Sequence, residues 1–174
     1  LSGAAVEQIA ADVGTLIITV DCGITNVAET ALAKSLGVDV IVTDHHECGE
    51  VLPDTPYIIN AKRPDSAYPY RYLAGCGVAF KLIHALSSLA EAMRYIDLIA
   101  IGTITDIVPL LGENRVIAHM GLKKLRQNAS AGVAALAQAA GISLPEISSF
   151  GIGFGLGPRI NAAEIGRASC RERV

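Results

Sequence analysis

Leu16-Ile17-Ile18-Thr19-Val20-Asp21-Cys22-Gly23 and Val38-Asp39-Val40-Ile41-Val42-Thr43-Asp44-His45-His46-Glu47 are two short β-branched runs, each leading into a polar turn. The first is bounded by Gly14 and by Asp21-Cys22-Gly23, which predicts a strand buried on both faces. Between the runs, Val27, Ala28, Ala31, Leu32, Ala33 and Leu36 recur at helical spacing from Thr25 to Leu36. Gly37 stands where a helix C-terminus needs a left-handed residue. Strand, helix, Gly and strand within about 30 residues form a βαβ unit, whose right-handed crossover makes the two strands parallel.

Upstream, residues Leu1 to Asp12 have the pattern of the end of a helix. Downstream, Tyr57-Ile58-Ile59-Asn60, entered through Pro53 and Pro56, is a candidate third strand, and Lys62 to Tyr72 is a connecting loop. Helical patterns follow over Gly77 to Met93, Tyr95 to about Val108, Asn114 to Gln127 and Ala131 to Ala140. The expected fold class is α/β: a parallel sheet followed by a helical layer.

Composition narrows the function. The 174 residues carry a net charge of −3, are 51% apolar and have a mean hydropathy of +0.43, the profile of one well-buried domain. With 18% charged residues, 17 Gly and 7 Pro, the chain is neither a disordered polymer nor a coiled coil nor a collagen-like repeat. No apolar run approaches the roughly 18 residues that cross a bilayer, so no membrane partner is expected. The N-terminus has no initiator Met, basic region or signal cleavage site and reads as cut from something longer. Cysteines 22, 48, 76 and 170 share no C-x-x-C spacing, which suits reduced thiols in a cytoplasmic protein. The acidic balance argues against coating nucleic acid by charge alone. Five Tyr, three Phe and no Trp give no extended base-stacking platform. Residues 164–174, with three Arg and no apolar periodicity, are expected to be a non-native tail on a domain spanning 1–163.

In a parallel α/β sheet, ligands bind outside the carboxyl ends of the strands. Asp21 follows the first strand and Asp44-His45-His46 follows the second, so they emerge at one sheet edge, one or two spacings of roughly 5 Å apart. Alone, Asp21 reads as a helix N-cap or Asx turn, and paired histidines in a loop read as solvated. Together, carboxylate and imidazole are the ligand types that hold Mn²⁺, Zn²⁺ or Fe. Asp106, in the apolar segment Ile101-Gly102-Thr103-Ile104-Thr105-Asp106-Ile107, is a third candidate, since a buried carboxylate needs a partner. Its alternative is a helix-end Asp bonded to backbone, and Asp97 shows that such residues also fall on ordinary helix faces.

Gly151, Gly153, Gly155 and Gly157 alternate before Pro158-Arg159-Ile160-Asn161, which predicts a flexible loop able to bring N–H groups and Arg159 to a phosphate. It matches neither a P-loop nor a dinucleotide fingerprint. Lys123, Lys124 and Arg126 end a helix, where cations complement the dipole and face water. His84 and His119 read as structural.

The ordered set Ile18–Ile24, Val40–Glu47, Gly75-Cys76-Gly77-Val78-Ala79-Phe80-Lys81, Gly102–Leu110 and Gly157-Pro158-Arg159-Ile160-Asn161-Ala162-Ala163 resembles the DHH phosphoesterase superfamily. Within it, the likeness is to the bacterial single-stranded-DNA-specific exonucleases, from about Gly14 to Ala163. The resemblance implies a two-metal Mn²⁺ site, with Mg²⁺ as a substitute. Asp21 would bridge the metals, and His45 and Asp106 would ligate one of them. His46 would contact the scissile phosphate, Asp44 would orient the histidines, and Arg159 would hold a DNA phosphate. Such a site hydrolyses phosphodiesters by in-line displacement. In the family this removes mononucleotides from single-stranded DNA in the 5′ to 3′ direction during repair and recombination.

The resemblance also implies missing parts. An Asp-rich first motif would precede residue 1, and DHHA1 and OB-type modules would follow Ala163. Where the family continues Asn-Ala-Ala-Gly-Arg, this chain has Glu164-Ile165-Gly166-Arg167. The expectation is a DHH domain truncated at both ends and inactive by itself. Two alternatives stand beside it. One is another DHH phosphoesterase acting on oligonucleotides, cyclic dinucleotides or pyrophosphate. The other is a non-enzymatic α/β module in which Cys22, His45 and Cys48 hold Zn²⁺.

Overall fold

A computed structural model describes residues 1–162; the tail expected at 164–174 lies outside the described residues. The chain packs as two compact units, Leu1–Leu82 and a second that opens at Ile83.

In the first unit, β1 (Leu16–Val20), β2 (Asp39–Thr43) and β3 (Ile58–Ile59) form a parallel sheet in the order β1-β2-β3. Leu16 pairs with Asp39 and Val20 with Thr43, while Val42 and Thr43 pair with Ile58 and Ile59. Helix α1 (Gly3–Ala11) is capped by the Ser2 hydroxyl, which accepts from the Ala5 N–H at 3.3 Å. Helix α2 (Val27–Ser35) makes the β1-to-β2 crossover and ends before Gly37, whose φ of +75° is the left-handed cap expected from sequence.

Val6 of α1, Ala33 of α2 and Val38 pack with Ile17, Val40 and Val42 into one buried cluster. Burying a Val or Ile side chain contributes about 2 kcal/mol, so this layer is the main attachment of the helices to the sheet. β1 is not buried on both faces: Ile17 and Thr19 are buried, whereas Leu16, Ile18 and Val20 are about half exposed. The helices cover one face, and the two-residue period of the strand turns alternate side chains away from them.

The helix expected over Gly77 to Met93 is two helices, α3 (Gly75–Leu86) and α4 (Leu89–Met93). Ser88 adopts extended backbone and its hydroxyl accepts from the Glu91 N–H at 3.1 Å, while the Ser87 hydroxyl donates to the Ile83 carbonyl at 2.7 Å. Two serines offer the backbone local partners that interrupt the helix.

The second unit contains α5 (Ile96–Thr105), α6 (Gly112–Asn128) and α7 (Ala131–Ala139). Its core joins Ile101, Leu125, Val133, Ile147, Ile152 and Leu156. Helices α5 and α6 cross closely, and a Cβ on Gly121 would lie 2.1 Å from the Ala100 Cβ.

Three expectations are corrected here. Asp97 is not on an ordinary helix face; it is fully buried, with Lys124 Nζ at 2.9 Å and the Ser130 N–H donating to it at 2.7 Å. Lys124 is therefore an ion-pair partner rather than a solvated cation, and it also donates to the Arg94 carbonyl. Arg126 is likewise engaged, with Nε and Nη2 donating to the Ile147 carbonyl at 2.9 and 2.7 Å. Finally, the glycine-rich segment is helical. Helix α8 (Ser149–Gly151) widens to π geometry over Ile152–Leu156 and continues helical over 157–162. Its glycines serve packing: a Cβ on Gly157 would meet Thr105 Oγ1 at 2.7 Å, and one on Gly155 would meet Ile142 Cδ1 at 2.8 Å.

Candidate metal centre

The sheet register places the centre. Val20 is opposite Thr43, so Asp21 and Asp44 leave the sheet together at its carboxyl edge. The Asp21 N–H donates to the Thr43 carbonyl at 3.0 Å, and the Asp44 N–H donates to the Ile59 carbonyl at 3.0 Å. Asp21 has a φ of +63°, a left-handed conformation that costs a residue with a side chain roughly 1–2 kcal/mol. Gly23, at φ +115°, completes the turn.

This turn brings Asp21 Oδ1 to 3.0 Å from His45 Nε2. The His45 and His46 rings lie 4.4 Å apart, tilted by 52°. Asp21, His45 and His46 each offer a ligand atom, and these atoms lie within 4.8 Å of one another. An ion bonded at about 2.1 Å holds its ligand atoms within about 4.2 Å, so the group needs only a small closure to seat one. The donor set, a carboxylate oxygen and imidazole nitrogens, fits Mn²⁺. His45 forms the wall, with its side chain 10% exposed, and His46 stands at the mouth, at 58%.

Asp44 is almost fully buried and holds both loops. Its Oδ1 accepts from the His45 N–H at 2.7 Å and the His46 N–H at 3.2 Å, and lies 2.7 Å from His46 Nδ1; its Oδ2 accepts from the Ile24 N–H at 2.9 Å. Burial pushes the Asp44 carboxyl up, but the hydrogen bonds from Ile24, His46 and His45 outweigh it and hold the group below the usual carboxylate range. An ionised carboxylate only accepts, so His46 Nδ1 carries the proton in this pair. Asp44 thus bonds the backbone of both histidines and the ring of one.

Two residues that the sequence reading did not single out as site residues complete the surroundings. Buried Asn60, just past β3, donates from Nδ2 to the His46 carbonyl at 3.0 Å, and its Oδ1 accepts from the Lys62 N–H at 2.8 Å. Gly75, the first residue of α3, abuts Asp21 itself. Gly75 lies in a segment already prominent in the sequence, whereas nothing in the residue pattern marks Asn60.

The other candidates are placed as follows. Asp106 is the C-cap of α5 in the second unit; it is exposed rather than buried, because the helix ends there. Arg159, also in the second unit, donates from Nη1 to the Gly155 carbonyl of its own helix at 2.7 Å. The zinc alternative is not supported: among the described residues the clustered group contains neither Cys22 nor Cys48. Burial and the Glu47 charge also push the Cys48 thiol up, away from the thiolate that binds zinc.

The model of the DHH family, N-terminal domain, matches residues 2–103. The chain belongs to the DHH family. The single-stranded-DNA-specific exonuclease RecJ of Bacillus subtilis (strain 168) is 50% identical over 149 residues, covering 85% of this DHH chain and 19% of the relative. A crystal structure of exonuclease RecJ bound to manganese is 37% identical at a TM-score of 0.79, over 94% of this chain and 41% of that one. The structure of RecJ in complex with Mn²⁺ from Thermus thermophilus is 36% identical at a TM-score of 0.78, over 97% of this chain and 26% of that one. The DHH chain thus spans between 19% and 41% of the length of these relatives. They share its parallel sheet and helical layer, and no helix among its described residues is long and apolar enough to cross a membrane.

Proposed function

We propose that this chain is the metal-binding core of a single-stranded-DNA exonuclease that removes mononucleotides in the 5′ to 3′ direction, acting in the cytoplasm in repair and recombination. The convergence of Asp21, His45 and His46 at the carboxyl edge of a parallel sheet carries the reading. The likeness to manganese-bound RecJ structures supports Mn²⁺ as the ion, with Mg²⁺ as a substitute.

The roles combine the convergence of Asp21, His45 and His46 with what the family resemblance implies for the other residues. Asp21 and His45 would hold the cation, and the family resemblance, not the geometry, adds Asp106 as a further ligand. When bound, the divalent cations supply Lewis-acid polarisation of the phosphate and activation of water. His46, 58% exposed at the mouth of the site and tied to Asp44 through Nδ1, would contact the scissile phosphate. Asp44 holds the His46 ring through Nδ1 and the His45 and His46 backbone N–H groups. Arg159 would hold a second phosphate of the strand. The remaining ligands and the DNA grip would come from segments flanking this one in the longer parent, as its fraction of the relatives' length suggests.

The test uses the full-length parent protein with Mn²⁺ and end-labelled single strands. The expected result is stepwise release of mononucleotides from the 5′ end, lost by a factor of a thousand or more in Asp21→Asn. Faster hydrolysis of dinucleotides or pyrophosphate would assign the chain to another branch of the family.

A further inference from the structure

We infer that Gly75 is a positioning residue for the metal centre, holding the Asp21 carboxylate against His45 by leaving it the space that any side chain would take. The inference rests on the metal-binding reading of Asp21 and His45, and its basis is steric. A Cβ built on Gly75 would lie 2.1 Å from Asp21 Oδ1, 2.5 Å from its Cγ and 2.7 Å from its Cβ. Real Cβ atoms do not approach heavy atoms this closely, so something must move.

Three things could yield, and two are held. The Asp21 backbone already sits at φ +63°, with its N–H bonded to the Thr43 carbonyl, so it has no cheap alternative conformation. Helix α3 is fastened at its start by buried Leu73, Ala74 and Gly75 and further along by Val78 and Phe80, so backing it away would open the core. What yields first is the Asp21 side chain, which is 57% exposed: rotation clears Oδ1 and Cγ, while its Cβ, fixed by the backbone and 2.7 Å from the new atom, forces a further small shift of the turn. Rotation takes Oδ1 off His45 Nε2, now 3.0 Å away, and separates the two ligand atoms. It also removes the carboxylate from the positive end of a 12-residue helix.

Gly77, two residues on, is the internal comparison. A Cβ there meets the Leu73 side chain, with Cδ2 at 3.2 Å and Cβ at 3.5 Å, and none of its three nearest atoms belongs to Asp21. Gly to Ala raises helix propensity, by up to about 1 kcal/mol in a helix interior, and lowers it at neither position. A loss confined to the Gly75 variant therefore cannot come from a weaker helix.

The experiment compares wild type, Gly75→Ala, Gly77→Ala and Gly75→Ala combined with Asp21→Gly. Asp21→Gly accepts the positive φ and removes all three atoms that a Gly75 Cβ would strike. Mn²⁺ affinity is read from the free-ion electron paramagnetic resonance signal, and melting temperature is read without metal. Gly75→Ala is expected to bind Mn²⁺ at least tenfold more weakly than wild type, the scale of losses in groups that orient ligands, and Gly77→Ala within about twofold. If Gly75→Ala also melts early or fails to fold, adding Asp21→Gly should restore the melting temperature, locating the clash at Asp21. Wild-type affinity in Gly75→Ala, or no recovery of folding in the double variant, overturns the inference. Wild type that takes up no Mn²⁺ would instead refute the metal reading on which it rests.

Discussion

The Asp44 carboxylate and the Ile24 N–H, 20 residues apart in sequence, meet at 2.9 Å and join the turn that carries Asp21 to the loop that carries the histidines. Neither loop is placed independently of the other. The ligand geometry is thus set by a buried anion that need not touch the ion.

Asp44→Asn tests this coupling. The amide keeps one accepting oxygen, so its NH₂ must face either the Ile24 N–H or the cluster of His45 and His46 donors. The expected outcome is a 10- to 100-fold loss of Mn²⁺ affinity and a stability loss of about 1–3 kcal/mol, from metal titration and urea unfolding. An unchanged affinity would show that the loops hold their positions without Asp44.

In the second unit, Lys124→Met leaves Asp97 buried without its cation. Removing one partner of a buried pair costs about 3 kcal/mol, although the partial exposure of Lys124 moderates this. Chemical denaturation at neutral pH measures it, and a loss below about 0.5 kcal/mol would mean that the Ser130 N–H suffices for the carboxylate.

Asp97 also gives the unit a pH dependence. Burial pushes its carboxyl up, but the Ser130 N–H and Lys124 outweigh this and hold it below the usual range. A depressed folded-state value means that the contribution is present above the unfolded value near pH 4 and fades as pH falls through the folded one. Asp97→Asn should therefore be less stable than wild type at pH 7, with the gap narrowing below about pH 4 in unfolding curves. A gap that stays constant down to pH 2 would contradict the assignment.

Gly121→Ala should separate α5 from α6. The new methyl would lie 2.1 Å from the Ala100 Cβ and 2.7 Å from the Ile96 carbonyl oxygen, and backbone cannot move aside as a side-chain tip can. A loss of about 1–3 kcal/mol is expected, against the small gain in helix propensity, and thermal melting reads the difference. Pairing it with Ala100→Gly should recover part of the loss.

Much of this was legible in the chain itself. The alternation of β-branched runs with a 3.6-residue pattern and Gly37 gave the parallel pair, and the strand ends alone placed Asp21 beside the Asp-His-His cluster. Periodicity describes one element's apolar face and says little about what meets it. That is why the Asp97–Lys124 pair went unread, as did the contacts that turn Gly155 and Gly157 from loop residues into helix-packing ones. Ser87 and Ser88 stop a helix through side-chain hydrogen bonds that apolar spacing cannot register. Asn60 acts through a single amide on the His46 carbonyl, a bond that exists only once β3 is laid against β2.

The unequal exposure of the adjacent imidazoles has a chemical consequence. An acylating reagent such as diethyl pyrocarbonate, arriving from solvent, meets His46 first, while His45 is screened by the protein around it. Graded carbethoxylation therefore reads the two rings in sequence, making neighbouring residues of one kind a reporter of how far the centre is open.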